Sequence, residues 1–143
     1  SLFLKPEELE IENFKRYEKY KLIEENEVMY EEYRMEDAEI CIVAFGVAAR
    51  VSKIAIDEAR NKGIKVGMLR PITLFPFPTQ PIKALAQRVK GILTVEMSAG
   101  QMVYDVKLAS EFKCPVEYFG RYGGIIPTPQ EVVEALENKL IKG

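Results

Sequence analysis

The sequence contains no histidine and no tryptophan, and only two of its 143 residues are cysteines. Histidine is the side chain that most often acts as a general base and most often binds metal ions, so many catalytic schemes are excluded. Cys41 and Cys114 are far apart and form neither a disulfide framework nor the spacing of a metal site. We therefore expect free thiols in a reducing cytoplasm and no metal site.

Long apolar runs are also missing. The longest, residues 40–49, is interrupted by Gly46 and reaches about half of the roughly 20 residues that span a membrane. No signal-peptide pattern and no cluster of Lys and Arg interleaved with aromatic residues is present. We expect neither a membrane nor nucleic acid as a partner. Because the chain begins with Ser1, we also expect it to be a piece of a longer or processed polypeptide.

The charge is unevenly distributed. Residues 1–37 contain 12 acidic and 6 basic residues, whereas the remainder contains 10 acidic and 14 basic residues. The segment 6–26 opens with proline and acids, as the first turn of a helix does, but its apolar residues form a ragged stripe. The segment 27–33 is either an edge strand or extended chain. We divide the chain into a helical connector, 1–37, and an α/β domain, 38–143.

A strand followed by a helix recurs four times after Ala38. The first strand is a continuous apolar run rich in β-branched side chains, which is typical of a strand buried on both faces. The predicted strands are 40–45, 64–69, 92–95 and 115–119, and the predicted helices are 47–62, 81–90, 102–112 and 128–141. Helical periodicity places Ile54 and Phe112 on inward faces, and Thr128 with Glu131 forms a capping box. Short connections between such repeats predict a three-layer α/β/α sandwich.

Ligands of open α/β sheets bind at the carboxyl ends of the strands, so the loops at that edge are the candidate sites. Gly46 follows the first strand, but the other glycines of a dinucleotide fingerprint are absent, which favours a tight turn. No phosphate-binding GxxxxGK[ST] motif exists. The loop Glu96–Gln101 combines a carboxylate with small residues such as Gly100 before a helix. Free N–H groups there could hold an anion or a partner's carboxylate, or Glu96 could bond to backbone or to an arginine.

Four loops meet the carboxyl edge of the sheet, namely 46–48, 70–78, 96–101 and 120–124, and the sequence LFPFP at 74–78 predicts a stiff loop. The loop 120–124, with the sequence GRYGG, is the most unusual of the four. Gly123 and Gly124 permit left-handed backbone, while Arg121 and Tyr122 could grip a phosphate, a carboxylate or another subunit. A simple linking turn is the alternative. Ser98 has no histidine to activate it and no GxSxG motif surrounds it, so a hydrolase nucleophile is not supported.

Four sequence blocks together resemble one known family. They are AEICIVAFGVAAR, GIKVGMLRPITLFPFP, GILTVEMSAGQM and GRYGGIIPTPQEV. They are similar to the C-terminal, transketolase-like domain in the alpha subunit of 2-oxoacid:ferredoxin oxidoreductases, especially the 2-oxoisovalerate and 2-oxoglutarate types. The acidic helix and EVMYEEYRMEDAE resemble the connector to a preceding thiamine-binding domain.

The resemblance implies a five-stranded, mostly parallel sheet whose first strand, within 27–33, is antiparallel. It places the strand 40–45 beside both 64–69 and 92–95, with Gly46 and the loop 96–101 flanking a crevice. It also implies a parent complex that contains beta, gamma and ferredoxin-like subunits, uses thiamine diphosphate, Mg²⁺, iron–sulfur clusters and CoA, and reduces ferredoxin.

No catalytic residue carries over from the family to this chain. Two cysteines cannot ligate a cluster that takes four thiolates. We expect the fragment to bind no cofactor and to be inert alone, serving as an assembly domain with interface or substrate-access residues. These candidates are Gly46, Glu96, Gly100, Gln101, Arg121, Tyr122, Gly123 and Gly124. A free-standing CoA- or anion-binding module, and a domain of a transketolase or pyruvate dehydrogenase, remain alternatives.

Overall fold

The computed structural model describes residues 5–142, so the ends of the two predicted domains, residues 1–4 and 143, lie outside it. The chain alternates helices and strands in the predicted order. The helices are α1 (Pro6–Asn26), α2 (Gly46–Asn61), α3 (Thr79–Ala86), α4 (Met102–Ser110) and α5 (Pro129–Leu136), with a π-helical turn, Glu137–Ile141. The strands are β1 (Tyr30–Tyr33), β2 (Ile40–Ala44), β3 (Val66–Pro71), β4 (Gly91–Glu96) and β5 (Val116–Gly120).

The five strands form one sheet in the order β1-β3-β2-β4-β5. Strand β1 pairs antiparallel with β3, and all other pairs are parallel. The predicted antiparallel edge within 27–33 and the predicted neighbours of the first apolar strand are therefore confirmed. The strand order reverses at β2, between β3 and β4, which opens a crevice at the carboxyl ends of β2 and β4.

Strand β2 explains the three layers. Every residue of it is buried, and successive side chains point to opposite faces of the sheet. Ile40 and Ile42 enter a core cluster that contains residues of α2 and α5, whereas Cys41 and Val43 enter a second cluster with residues of α3 and α4. Two apolar layers on one sheet confirm the α/β/α sandwich.

Two inward placements from the helical periodicity are wrong. The Ile54 side chain is 54% exposed, because the buried stripe of α2 runs through Ala55, Ile56 and Ala59 instead. Helix α4 ends at Ser110, and Phe112 is 71% exposed. Glu111 and Phe112 both have positive φ angles, of 51° and 56°, which end the helix and turn the phenyl ring outward.

Helix boundaries elsewhere shift by a few residues. Helix α3 starts at Thr79 rather than Pro81 and ends at Ala86 rather than Lys90. The predicted capping box at α5 is confirmed, since Thr128 Oγ1 accepts from the Glu131 N–H and the Glu131 carboxylate accepts from the Thr128 N–H. Among the described helices, none is both long enough and apolar enough to cross a membrane.

Candidate functional site

A crevice of about 340 Å³ lies at the carboxyl edge of the sheet. Loops after three strands build it, namely the loops that follow β2, β3 and β4. Most of the wall is apolar, and the polar groups lie towards α4. The lining residues are Phe45, Leu74, Phe77, Met97 and Met102, with Glu96, Ser98, Gln101 and Asp105.

Glu96 is the last residue of β4 and is 1% exposed, yet its carboxylate is fully engaged. Oε1 accepts from the N–H groups of Gln101 at 3.0 Å and Met102 at 2.7 Å, and Oε2 accepts from the Val103 N–H at 3.1 Å. The Ser98 hydroxyl donates to Oε1 at 3.1 Å. The carboxylate thus satisfies the free N–H groups at the start of α4 and interacts with the positive end of the helix dipole.

This arrangement decides between the two interpretations of the loop 96–101. The bonding of Glu96 to backbone is confirmed. The N–H groups that were the alternative site for an external anion instead donate to the chain's own carboxylate. Glu96 instead fixes the path of the loop that forms one wall of the crevice.

Tyr118 supports the same loop from β5. Its hydroxyl donates to the Ser98 carbonyl oxygen, and its ring lies 3.6 Å from the point where a side chain on Gly100 would begin. Burial, and then the Glu96 carboxylate, raise the pKa of Tyr118. Gly120 allows this packing, because a Cβ atom there would lie 2.7 Å from Tyr118 Cζ and 2.8 Å from the Ser98 carbonyl oxygen. A larger residue at position 120 would displace the loop.

The Arg121 side chain turns away from the crevice. Its backbone N–H donates to the Glu96 carbonyl oxygen at 3.1 Å, but its guanidinium bonds to the Glu131 carboxylate in the first turn of α5. The Thr128 N–H and the Arg121 guanidinium hold the pKa of Glu131 below its ordinary value. Arg121 therefore ties the glycine-rich loop to α5, and its charge is matched within the fold.

The remaining predicted residues lie around the crevice. Gly46, with φ of 59°, follows Phe45 at the exit of β2. Gly123 and Gly124 have φ angles of 74° and 83°, which confirms the left-handed backbone expected there. The Tyr122 side chain is exposed. Of the eight candidates, only Glu96 and Gln101 line the crevice, and Gly46 flanks it.

Exposed apolar side chains lie in the lining of the crevice and close to it along the chain. We call this surface the rim; it consists of Phe45, Leu74 and Met97, which line the crevice, and Val47, Ile72 and Phe75, all at least one third exposed. Such a concentration of large apolar groups just beyond the ends of three neighbouring strands is typical of a surface that contacts another protein. The sequence LFPFP, residues 74–78, predicted only a stiff loop. Its phenylalanines and leucine beside a strand end were the signal that could have identified the rim.

The residues of this chain do not fit an iron–sulfur cluster or a thiamine-bound metal ion. Cys41 is completely buried, and burial raises the pKa of its thiol to about 12, so it supplies no thiolate. Burial also raises the pKa of the Cys114 thiol. Within residues 5–142, no cluster of three or more Cys, Asp or Glu side chains has the arrangement of a metal site.

The sequence matches known proteins over most of its length. Residues 38–132 match the family described as pyruvate:ferredoxin oxidoreductase core domain II. The chain is 56% identical over 124 residues to the ketoisovalerate oxidoreductase subunit VorB of Methanothermobacter marburgensis, covering 87% of this chain and 35% of that protein. It is 35% identical over 101 residues to the 2-oxoglutarate synthase subunit KorA of Methanothermobacter thermautotrophicus, covering 71% of this chain and 27% of that protein. The chain thus spans about a third of the length of these relatives.

Two solved structures share the fold. The 2-oxoglutarate:ferredoxin oxidoreductase from Magnetococcus marinus, with 2-oxoglutarate, coenzyme A and succinyl-CoA bound, superposes with a TM-score of 0.83 at 22% identity, covering 98% of this chain and 24% of that chain. A split-gene transketolase, described as an inactive beta4 tetramer, superposes with a TM-score of 0.64 at 20% identity, covering 75% of this chain and 39% of that chain.

Proposed function

Because this chain belongs to the pyruvate:ferredoxin oxidoreductase core domain II family, we propose that it is the C-terminal assembly domain of the alpha subunit of a 2-oxoacid:ferredoxin oxidoreductase. The parent enzyme oxidatively decarboxylates a 2-oxoacid on thiamine diphosphate. The carboxylate leaves as CO2, the acyl group is transferred to the thiol of CoA, and two electrons pass through iron–sulfur clusters to ferredoxin. A branched-chain 2-oxoacid is the first candidate substrate, supported by the similarity to two ketoisovalerate oxidoreductase subunits.

The proposed assembly role is supported by the side chains at the carboxyl edge of the sheet. In many α/β proteins this edge presents polar groups to a ligand, but here Glu96 is engaged by α4 and the Arg121 guanidinium by Glu131. Apart from the exposed Gln101 and Asp105 on the side of α4, what the edge offers outward is the apolar rim at a crevice of about 340 Å³. A surface of this composition gains free energy by burial against another protein, at about 25 cal/mol for each Å² of apolar area removed from water.

The thiamine diphosphate, its Mg²⁺ ion and the clusters are assigned to other parts of the complex, since the residues described above do not fit them. The partners are a thiamine-binding domain of the same subunit, the beta and gamma subunits, and ferredoxin as the electron acceptor. Glu96, Gly100 and Gln101 shape the wall that faces the partner, and Gly46 flanks it. Arg121, Tyr122, Gly123 and Gly124 form the adjoining loop. The two free thiols are in keeping with a cytoplasmic enzyme.

Isothermal titration calorimetry with the isolated chain tests the claim that the domain is inert alone. Titration with CoA, with thiamine diphosphate and Mg²⁺, and with 3-methyl-2-oxobutanoate is expected to give only heats of dilution. A titratable heat that saturates at one equivalent of CoA would instead support a CoA-binding module. The Arg121→Ala variant serves as the control, because a module that binds anions through Arg121 would lose that heat.

A further inference from the structure

Helix α1 carries apolar side chains on two opposite sides. Since successive residues of an α-helix are rotated by about 100°, Ile11 and Leu22 lie within about 20° of each other, whereas Tyr20 lies about 180° from Ile11. Phe14 lies beside Ile11, about 60° around the helix. We call the side that carries Ile11, Phe14 and Leu22 the outer face, and the side that carries Tyr20 the inner face.

The inner face contacts the chain's own α/β domain. The Tyr20 ring packs edge-on against the Phe75 ring, with 6.1 Å between the ring centroids and 84° between the planes. Ile23, on the same side, is half-buried. The C-terminal part of α1, the loop 75–77 and the first turn of α3 line a groove of about 680 Å³. The inner face is therefore already partnered at its C-terminal end.

The outer face is largely exposed in the described part of the chain. Ile11, Phe14 and Leu22 are 56%, 63% and 59% exposed. Apolar groups on opposite sides of a helix gain free energy when a protein surface covers each side, whereas a single covering surface removes only one side from water. One of those surfaces belongs to the α/β domain, so a second protein body lies across the outer face.

The charged side chains on the outer face indicate which kind of surface covers it. Glu7, Lys15 and Glu18 lie within about 40° of the line through Ile11 and Leu22. Within residues 5–142, neither carboxylate belongs to any of the ion pairs, whereas Glu12, nearer the edge of the outer face, pairs with Lys15 at 3.0 Å. Carboxylates without ion-pair partners beside exposed apolar groups favour a partner surface that carries Lys or Arg around an apolar groove.

We propose that α1 is a two-sided strut whose outer face docks into an apolar, basic-rimmed groove on another folded domain of a longer alpha subunit. This inference rests on the proposed function. It draws further support from the relatives, of whose length this chain spans only about a third, so that most of each of those subunits is available as the second body. A second copy of this chain is the competing occupant, because the exposed Arg16 and Lys19 of its own α1 could face Glu7 and Glu18.

Photo-crosslinking in the intact subunit, assembled into its complex, distinguishes these occupants. The crosslinking residue p-benzoylphenylalanine is placed at position 11, 22 or 74, and the joined peptides are identified by mass spectrometry. We expect positions 11 and 22 to crosslink to one region outside the 143 residues of this chain, with Lys or Arg beside the crosslink. Crosslinks to α1 of a second copy, or only to residues within this chain, would overturn the proposal.

Crosslinks from position 74, on the rim, distinguish the proposed docking of α1 from the proposed assembly function. Crosslinks from position 74 to another domain or subunit, without any from positions 11 and 22, would refute the strut and leave the assembly function standing. Absence of intermolecular or interdomain crosslinks at all three positions would refute both.

A second experiment measures how firmly the strut is docked. The double variant Ile11→Glu/Leu22→Glu keeps helix-forming residues but places charge on the outer face. In the assembled complex, we expect proteolytic cleavage in the segment 27–29, next to the end of α1, to become about tenfold faster than in the wild type. Leu108→Glu, on the exposed side of α4, is the matched control and should leave the rate unchanged. An unchanged rate in the double variant would contradict docking of the outer face.

Discussion

Replacement of Glu96 by glutamine tests whether this carboxylate organises the wall of the crevice. Glutamine has the same shape, but its amide nitrogen takes the place of one carboxylate oxygen and faces a donor. If that oxygen is Oε2, the Val103 N–H loses its acceptor, and an unsatisfied buried N–H group costs about 1–3 kcal/mol. The start of α4 also loses a buried negative charge, which contributes up to about 2 kcal/mol. Because Glu96 is 1% exposed, water cannot replace these interactions, and we expect a loss of about 3 kcal/mol in the free energy of unfolding.

Urea unfolding of the isolated chain, followed by circular dichroism, measures this loss. Glu117→Gln is the matched control, because Glu117 lies on β5 and its carboxylate has no hydrogen-bond or ion-pair partner among residues 5–142. This control should change the free energy by no more than about 0.5 kcal/mol. If Glu96→Gln were no more destabilising than Glu117→Gln, the carboxylate would not be the cap on which the loop depends.

Two further substitutions test the surroundings of the crevice. Gly120→Ala places a Cβ atom 2.8 Å from the Ser98 carbonyl oxygen. We expect the free energy of unfolding, measured with urea, to fall by about 1–3 kcal/mol. An unchanged unfolding midpoint would show that the loop moves aside without a cost in stability. Glu131→Gln tests the link between Arg121 and α5 through its pH dependence. Because the pKa of Glu131 is lowered from 4.5 in the folded state, its stabilising effect is fully present above about pH 4.5 and is lost as the pH falls through the folded-state pKa. The difference in unfolding free energy between wild type and Glu131→Gln should therefore shrink below pH 4.5, and a difference that stays constant down to pH 2.5 would contradict this origin.

The sheet could be predicted from the sequence because its central strand is unambiguous. An uninterrupted apolar run such as Ile40–Ala44 requires layers on both faces, and the glycines and prolines between the repeats fix the order of strands and helices. The capping box at Thr128 is equally local, since its two hydrogen bonds join residues three apart. Periodicity failed for Phe112, where α4 ends in left-handed backbone without a glycine to signal it.

The candidate site could be predicted only in outline. The positions of the loops follow from the strand ends, but the partners of their charged groups depend on packing. Glu96 reaches backbone N–H groups five to seven residues ahead, and Arg121 reaches a carboxylate ten residues ahead. The contact between Tyr118 and the Ser98 carbonyl joins strand β5 to the loop that follows β4. The sequence contains these charged groups, but which of them lack a partner within the fold depends on the packing.

Assembly of a Leu74→Asp variant tests the central claim most directly. Leu74 is 51% exposed on the rim, and Leu108, which is 71% exposed on α4, provides the matched control. Each variant is introduced into the full-length alpha subunit, which is co-expressed with its partner subunits. The mass of the purified complex is then measured by native mass spectrometry. We predict that Leu108→Asp assembles with the wild-type mass and that Leu74→Asp yields folded but unassembled subunit. Wild-type mass and wild-type 2-oxoacid oxidation in the Leu74→Asp complex would contradict the account.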